Sequence, residues 1–232
     1  MPHSLTYEFN EGSTLLIDKP LGWTSFDVVK KIRNLCKAKT GHAGTLDPLA
    51  TGLLIICTGK NTKKIQDYQG MEKEYTGSIF LGATRPSFDR ETEIDKEFPI
   101  DHITENAILE TAKGFIGKSE QEAPAFSALK VAGKPMYESA RKGIKTETKI
   151  RPIVIDSFKI EKIEMPLVYF RILCSKGTYI RSVAHDFGKR LNSGAYLHSL
   201  VRTKIGTYSL EDAWNLEELS AHLKEFKNKQ AT

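Results

Sequence analysis

Cysteine is scarce in this 232-residue chain, and long apolar runs are missing. Cys36, Cys57 and Cys174 are odd in number, far apart and form no CxxC pair, so a disulfide framework is not expected. The longest apolar runs, such as Gly52–Cys57, are far too short to cross a bilayer. The N-terminus lacks the basic start and apolar stretch of a secretion signal. These absences predict a cytoplasmic protein with reduced thiols and no membrane partner.

Motifs for cofactor chemistry are absent as well. The chain has no GxxxxGK[ST] loop, no GxGxxG and no GxSxG elbow, so neither a nucleotide cofactor nor a serine-hydrolase nucleophile is expected. None of the six histidines has a second His or a Cys at a usual ligand spacing, which argues against a metal site. Any catalysis is therefore expected to use ordinary side chains, without metal or cofactor.

Positive charge is modest in total but unevenly distributed. The formal net charge is +5, and residues 19–75, 123–160 and 161–208 each carry a net charge of +5, whereas residues 85–122 carry −5. Three basic segments that fold onto one face would attract a polyanion through the release of its counterions. The alternative is a set of scattered, solvated lysines.

Apolar periodicity predicts strands and helices that do not alternate regularly. Strands are predicted at Ser13–Ile17, Leu53–Cys57, Tyr75–Leu81, Ile153–Ile160, Val168–Cys174 and Val201–Tyr208. Helices are predicted after a capping box at Thr24–Asp27, at about Glu105–Phe115, from Pro135 to Gly143 and from Ile180 to Leu191. This order favours an α+β fold, with a mixed, mainly antiparallel sheet and helices packed on it.

Two segments lack a clear period. Arg85–Phe98 is acidic and poor in apolar residues, so a surface loop or an extended arm is predicted. Lys118–Lys149 is basic and carries Gly133, Pro135 and Gly143, which predicts either a mobile insertion that closes over a ligand or an ordinary surface loop. We expect one catalytic domain over residues 1–232 with this insertion in it.

The densest concentration of special residues is the segment Lys39–Gly52, which contains three glycines, His42 and Asp47-Pro48. The glycines allow unusual backbone angles, and Pro48 biases Asp47 toward an extended conformation that aims its carboxylate. An aspartate held in this way can serve as a nucleophile or a general base. The alternative is that Asp47 only caps a turn.

Six stretches in order resemble motifs of the TruB family of tRNA pseudouridine synthases. They are Asp18–Ser25, Gly44–Gly52, Lys73–Gly82, Ala123–Arg141, Cys174–Arg181 and Ala195–Thr203. The resemblance implies the pseudouridine synthase fold and the isomerisation of uridine to pseudouridine in the T-loop of tRNA, at uridine 55. Asp47 would be the catalytic carboxylate, and it would attack C1′, remove the C2′ proton or add to C6 of the base.

The resemblance also implies the supporting residues. Arg181 would pair with Asp47, and Tyr75 would stack on the uracil. Tyr179 and Leu200 would line the pocket, and His42 would fill the space that the flipped uridine leaves. The candidate contacts to the RNA backbone are Lys19, Lys130, Arg141 and Lys176. Ordinary structural or surface roles are the alternative for each of these residues.

Longer family members end in an RNA-binding PUA domain, and the 24 residues after Tyr208 are too few for one. A core-only form is therefore expected, acting as a monomer on the tRNA T-arm without a guide RNA. The main alternative is an RNA-binding chaperone of tRNA folding that does not depend on catalysis. A carboxylate glycosidase is disfavoured, because it needs a second, paired acid.

Overall fold

The computed structural model describes residues 8–124, 126, 130–131, 134–135 and 150–230. Most of the expected insertion Lys118–Lys149, and the helix predicted from Pro135 to Gly143, lie outside the described residues. The chain divides into two compact units, which are described separately below. The first unit consists of Met1–Lys73 and Val201–Thr232, and the second of Glu74–Leu200. The expectation of a single catalytic domain stays a prediction.

The described residues form both strands and helices. The strands are β1 (Thr14–Lys19), β2 (Thr40–Ala43), β3 (Ala50–Thr58), β4 (Lys73–Leu81), β5 (Ala83–Thr84), β6 (Lys96–Glu97), β7 (Gly117–Glu122), β8 (Lys130–Val131), β9 (Lys134–Pro135), β10 (Ile150–Glu164), β11 (Leu167–Cys174), β12 (Ala195–Ile205), β13 (Tyr208–Ser209) and β14 (Trp214–Asn215). The α-helices are α1 (Ser25–Cys36), α2 (Ile65–Gly70), α3 (Glu105–Lys113), α4 (Ile180–Arg190) and α5 (Leu216–Gln230). The chain also has 3-10 turns at Gly59–Lys64 and Leu210–Asp212.

In the first unit the strand order is β14-β1-β3-β12, with β2 also paired to β3. Strand β1 runs antiparallel to β3 and parallel to β14, so the sheet is mixed. The register places Lys19, the last residue of β1, opposite Gly52 of β3. The segment that carries Asp47 therefore returns to the sheet beside the end of β1.

Strand β3 is buried on both faces, which explains its unbroken apolar run. Leu54 and Ile56 pack into a core with β1, α1 and α5, whereas Leu53 and Ile55 pack into a second core with Tyr68 and Ile205. The predicted capping box begins α1: Thr24 Oγ1 accepts from the Asp27 N–H at 3.1 Å, and Asp27 Oδ2 accepts from the Thr24 N–H at 2.9 Å. These contacts fix the start of the helix close to the Asp47 segment.

In the second unit the order is β12-β4-β11-β10-β7, and β10 is antiparallel to both neighbours. Helices α3 and α4 pack beside it around four phenylalanines. The rings of Phe115, Phe158, Phe170 and Phe187 have centroid separations of 5.6 to 6.1 Å. These contacts position α4, which begins next to Tyr179.

The predicted α+β fold, with a mixed and mainly antiparallel sheet, is confirmed. All six predicted strands are present, but the one expected at Val201–Tyr208 begins at Ala195 and is broken at Gly206, where a φ of +53° turns the chain. Helix α5 was not among the predicted elements. A search of the described residues finds no helix that is long and apolar enough to span a membrane.

Candidate active site

Asp47 lies in the loop between β2 and β3 of the first unit and is half-buried. Two glycines with positive φ flank it, Gly44 at +90° and Gly52 at +100°, so both positions need the conformational freedom of glycine. The carbonyl oxygen of Asp47 accepts a hydrogen bond from the Ala50 N–H at 3.1 Å. Residues 44–49 are called the Asp47 loop below.

The first support of the Asp47 loop is Ser25, the buried first residue of α1. Its hydroxyl accepts from the Leu46 N–H at 2.8 Å and donates to the Leu46 carbonyl at 3.1 Å. One serine thereby satisfies both backbone groups of the residue before Asp47. The start of α1 and the loop are consequently held together, because breaking the pair would leave buried polar groups unsatisfied.

The second support is Lys19, which is 0% exposed. Its ammonium donates to the carbonyls of Pro20 at 2.9 Å, Trp23 at 2.6 Å and Pro48 at 3.5 Å. Burial lowers the pKa of Lys19 from 10.5 to about 8, and the negative charge of Asp47 opposes that shift. The expected contact of Lys19 with an RNA phosphate is therefore corrected: the amino group is occupied inside the protein, next to Asp47.

The third support is Arg202 in β12, which is 1% exposed. Its guanidinium donates to the Leu53 carbonyl at 2.8 Å and to the Gly44 carbonyl at 3.1 Å. These bonds tie the first residue of the loop to the strand that follows it. Arg202 lies in one of the family motifs, but no role was predicted for it, since only the folded chain brings it to Gly44.

His42 lies in β2, opposite Ile56 of β3, and is half-buried. Burial, reinforced by the positive charge of Arg202, lowers the pKa of the imidazole below its ordinary 6.5. The ring is therefore neutral at physiological pH. The first unit thus contains His42 and Asp47 on one short stretch of chain, with Lys19 and Arg202 buried beside it.

In the second unit Arg181 is the second residue of α4 and is 4% exposed. Its Nε lies 3.6 Å from Asp89 Oδ2, and its guanidinium donates to the Ser87 carbonyl at 3.3 Å. Asp89 is itself fixed, because its Oδ1 accepts from the Glu91 N–H at 2.9 Å. Arg85–Phe98 was predicted to be a surface loop or an extended arm, and a surface position is wrong for Ser87 and Asp89, which are buried and hold Arg181.

Tyr179 precedes α4 and is anchored by Gln121 of β7. The Tyr179 N–H donates to Gln121 Oε1 at 2.7 Å, and Gln121 Nε2 donates to the Tyr179 carbonyl at 3.1 Å. The guanidinium of Arg151 lies 5.1 Å from the centre of the Tyr179 ring. Gln121 was not among the predicted site residues, because its role depends on a partner 58 residues away.

The other predicted residues of the second unit are more dispersed. Tyr75 is a buried residue of β4, Leu200 is half-buried in β12, and Lys176 is exposed in the turn before α4. Lys130 belongs to the short strand β8, and its side chain lies outside the described part of the structure, as does all of Arg141.

Among the described residues, no group of three or more His, Cys, Asp and Glu side chains is placed to hold a metal ion. The predicted site residues comprise a half-buried carboxylate on a supported loop, a neutral imidazole, a buried arginine and two tyrosines.

Comparison with known proteins identifies the family. Residues 30–180 match the model of the TruB family pseudouridylate synthase N-terminal domain. A relative from Flavobacterium johnsoniae named tRNA pseudouridine synthase B is 55% identical over 214 residues, which cover 89% of this chain and 93% of the relative. A relative of the same name from Phocaeicola vulgatus is 51% identical over 216 residues, covering 90% and 92%.

Solved structures give the same answer for the fold. The chain is similar to one in a Cbf5-Nop10-Gar1 complex, with a TM-score of 0.75, 28% identity and coverage of 96% of this chain and 57% of that chain. It is also similar to one in an H/ACA RNP bound to a substrate RNA containing 2′-deoxyuridine, with a TM-score of 0.71 and 26% identity. The chain spans only 57% and 56% of the length of these two solved chains. The family model and the curated relatives confirm the resemblance found in the sequence, and the chain belongs to the TruB family of pseudouridylate synthases.

Proposed function

We propose that the protein isomerises a uridine of tRNA to pseudouridine, that the target is uridine 55 in the T-loop, and that Asp47 is the catalytic carboxylate. The observation that carries the proposal is the support of the Asp47 loop by Ser25, Lys19 and Arg202. Catalytic groups need a fixed geometry, and a loop braced by three buried side chains supplies it. The names of the curated relatives support tRNA as the substrate.

The reaction cleaves the C1′–N1 bond, turns the detached uracil and forms a C1′–C5 bond. C5 loses its hydrogen and N1 gains one, so the isomerisation needs no oxidant, reductant or cofactor. Asp47 in its ionised form would attack C1′, accept the C2′ proton or add to C6. All three roles require a carboxylate that is charged and aimed at the nucleotide.

The other predicted site residues suit this chemistry. Arg181 would pair with Asp47 in a bidentate manner and keep it ionised, while Asp89 holds the other side of the guanidinium. Tyr75 would stack on the uracil, and Tyr179 and Leu200 would form the walls of the pocket. The neutral ring of His42 would occupy the space left by the flipped nucleotide, since an uncharged imidazole stacks on bases without a large desolvation cost.

The exposed side chain of Lys176 is the best placed of the predicted phosphate contacts in the described residues. We propose the same role for Lys130 and Arg141 from the family motif alone. The protein would act as a monomer on the T-arm and would not need a guide RNA. The target must be flipped out of the loop, and RNA of this kind is recognised through its shape and its splayed bases.

The experiment that tests this proposal is tritium release from a T-stem-loop RNA labelled at C5 of uridine. Wild-type protein is expected to release tritium, and the Asp47→Asn variant to release essentially none while it still binds the RNA. Asp67→Asn is the matched control, because Asp67 is an exposed aspartate of α2 in the same unit. Release by Asp47→Asn at the wild-type rate, or no release by wild type on either stem-loop or whole tRNA, would refute the proposal.

The tRNA-folding chaperone is the second candidate, and the same variants distinguish it. A chaperone keeps its effect on tRNA folding in Asp47→Asn, whereas the isomerisation does not survive that change. Refolding of a misfolded tRNA by wild type and by Asp47→Asn therefore measures the chaperone activity separately.

A further inference from the structure

A groove of about 580 Å³ lies between α1 and α5 in the first unit. Four lining residues of α1 are spaced three, four and seven positions apart, so they share one face of the helix. That face lies beside the one that packs into the first core. Three residues of α5 at the same kind of spacing form the opposite wall. The α1 residues are Asp27, Lys30, Lys31 and Asn34, and those of α5 are Glu217, Ser220 and Lys224. The volume suits a segment of one or two nucleotides.

The charges of the groove do not cancel. Lys31 is neutralised by Glu217 on the opposite wall, with Nζ 2.5 Å from Oε1. The Asp27 carboxylate is already the acceptor of the capping box and receives the Thr24 N–H. Lys30 and Lys224 are exposed. Hydrogen bonds from Thr24, and also the positive charge of Lys30, lower the pKa of the Asp27 carboxyl, so the charges of Asp27 and Lys30 interact. Three lysines and two carboxylates line the groove, which leaves a net charge of +1 and two exposed ammonium groups, those of Lys30 and Lys224, for an anionic ligand.

An aromatic surface lies at one end of the groove. Trp23 is half-buried there, with Lys31 Nζ 5.4 Å from its ring centre. The side chains of Leu21 and Phe26, which flank Trp23 in the sequence, are 65% and 60% exposed and add apolar surface to this region. Positive charge together with an exposed aromatic surface is the combination with which proteins bind single-stranded nucleic acid, because phosphates meet the cations and bases stack on the rings.

The same end of the groove adjoins the Asp47 loop. The Gly22 N–H donates to the Pro48 carbonyl at 2.8 Å, and Lys19 joins the carbonyls of Trp23 and Pro48. Gly22, which lines this end of the groove, is thus bonded to the residue that follows Asp47, and the other lining residues of α1 extend from there along the helix. A nucleotide presented to Asp47 is covalently continuous with its neighbours, so the strand has to leave across the adjoining surface.

We propose that this groove binds the RNA strand next to the target nucleotide, with phosphates on Lys30 and Lys224 and a base or ribose against Trp23. The inference rests on the proposed function and extends it to a second contact surface outside the catalytic loop. It also assigns a role to helix α5, which contributes Lys224 to the groove.

The first test is the salt dependence of binding to an unmodified tRNA transcript. Each phosphate contact contributes about 0.7 to the slope of log K against log salt concentration for a single strand. The double variant Lys30→Gln/Lys224→Gln is therefore expected to lose about 1.4 from that slope. The control is Lys39→Gln/Lys159→Gln, which removes the same charge from two exposed lysines outside the groove and is expected to keep the wild-type slope. If the Lys30→Gln/Lys224→Gln variant had the same salt-dependence slope as the Lys39→Gln/Lys159→Gln control, the proposal would be overturned.

The second test uses Trp23 as a reporter. The chain has two tryptophans, so Trp214→Phe leaves Trp23 as the only one. Saturating tRNA is expected to quench Trp23 emission and to protect the ring from quenching by acrylamide. The dissociation constant from this titration should equal the one found in direct binding. Unchanged emission and unchanged accessibility at saturation would overturn the placement of RNA in the groove.

Tritium release by the wild type, measured in parallel, separates the two proposals. Release together with a wild-type slope in Lys30→Gln/Lys224→Gln refutes the groove and leaves the isomerase intact. Absence of release from every tRNA tested refutes the proposed function, whatever the slope.

Discussion

The guanidinium of Arg202 donates a hydrogen bond to the carbonyl oxygen of Gly44 at 3.1 Å, although the two residues lie 158 positions apart in the chain. The same side chain donates to Leu53 at 2.8 Å, so it joins both ends of the segment that carries Asp47. A planar guanidinium suits this task because its donors diverge at fixed angles. The Asp47 loop thus depends on a residue of β12 for its position.

Replacement of Arg202 by Met should affect both stability and catalysis. One buried carbonyl and one partly buried carbonyl lose their donor, and each loss costs about 1–3 kcal/mol, so the free energy of unfolding is expected to fall by roughly 2–6 kcal/mol. The Arg202→Lys variant should recover only part of the lost stability, since one ammonium group cannot reproduce the diverging N–H donors of a guanidinium. Single-turnover rates well below the melting temperature are expected to fall at least tenfold, with little change in the dissociation constant for tRNA.

Arg171→Met is the control for Arg202, because Arg171 pairs with Glu74 and Glu161 and is partly exposed. It should keep the wild-type rate. If both arginine variants had the same rate after correction for the folded fraction, Arg202 would have no special part in positioning the loop.

Substitution of Gly52 by Ala should disturb the loop from its other end. The φ of Gly52 is +100°, and an added Cβ would lie 2.4 Å from the Arg202 carbonyl oxygen and 2.7 Å from its nitrogen. Both atoms are backbone and cannot swing aside. We expect a loss of more than about 2 kcal/mol in the free energy of unfolding, from backbone strain and overpacking together. Chemical denaturation measures it.

Gly70→Ala is the matched glycine control, because nothing lies within 4 Å of its added Cβ and its φ is outside the positive region. Its stability should rise by at most about 1 kcal/mol through the lower entropy of the unfolded chain. Equal stability of the two alanine variants would show that the close approach of Gly52 to β12 is unimportant.

Asp89→Asn tests the support of Arg181. The change keeps the shape of the side chain but removes the charge that lies 3.6 Å from the Arg181 Nε. Because Arg181 is proposed to orient Asp47, the single-turnover rate is expected to fall by roughly 10- to 100-fold, while tRNA still binds. Asp186→Asn, which removes an exposed carboxylate near Lys189, should leave the rate unchanged. A wild-type rate in Asp89→Asn would contradict a role for the ion pair.

The Asp47 segment could be found from the sequence because its signals are local. Three glycines and an Asp-Pro pair stand within fourteen residues, directly before an apolar strand, and the capping box at Thr24 is equally local. The supports of the site could not be found in this way. Arg202, Asp89 and Gln121 act on partners far away in the chain, and only the folded topology makes them neighbours.

Two features left a signal in the sequence that was not used. Strand β1 alternates between buried and more exposed residues, and continuing that alternation places Lys19 on the buried side. Leu216, Leu219 and Leu223 have helical spacing and pack into the first core, so they mark α5. Lysine was assumed to lie at the surface because its charge is costly to bury, and here three carbonyls compensate for that cost.

The lowered pKa of Lys19 predicts how the rate depends on pH. Lys19 has one N–H group for each of the Pro20, Trp23 and Pro48 carbonyls only when it carries its third proton, and burial brings its pKa from 10.5 to about 8. Below about pH 8 the ammonium is present. Above it the neutral amine lacks the positive charge beside Asp47 and has only two N–H groups for three carbonyls. The single-turnover rate at saturating protein should therefore fall as the pH rises from 7 to 9.5.

The matched variant for this pH dependence is Lys19→Met, which has no ionisable group at that position. Its rate is expected to be low throughout and to lack the decline near pH 8, because the interaction that titrates in the wild type is already missing. Tritium release after rapid mixing measures the step, with protein stability checked at each pH by its circular dichroism. A wild-type rate that stays constant from pH 7 to 9.5 would mean that the proton on Lys19 does not contribute to the position of Asp47. A decline that persists in Lys19→Met would assign it to another group.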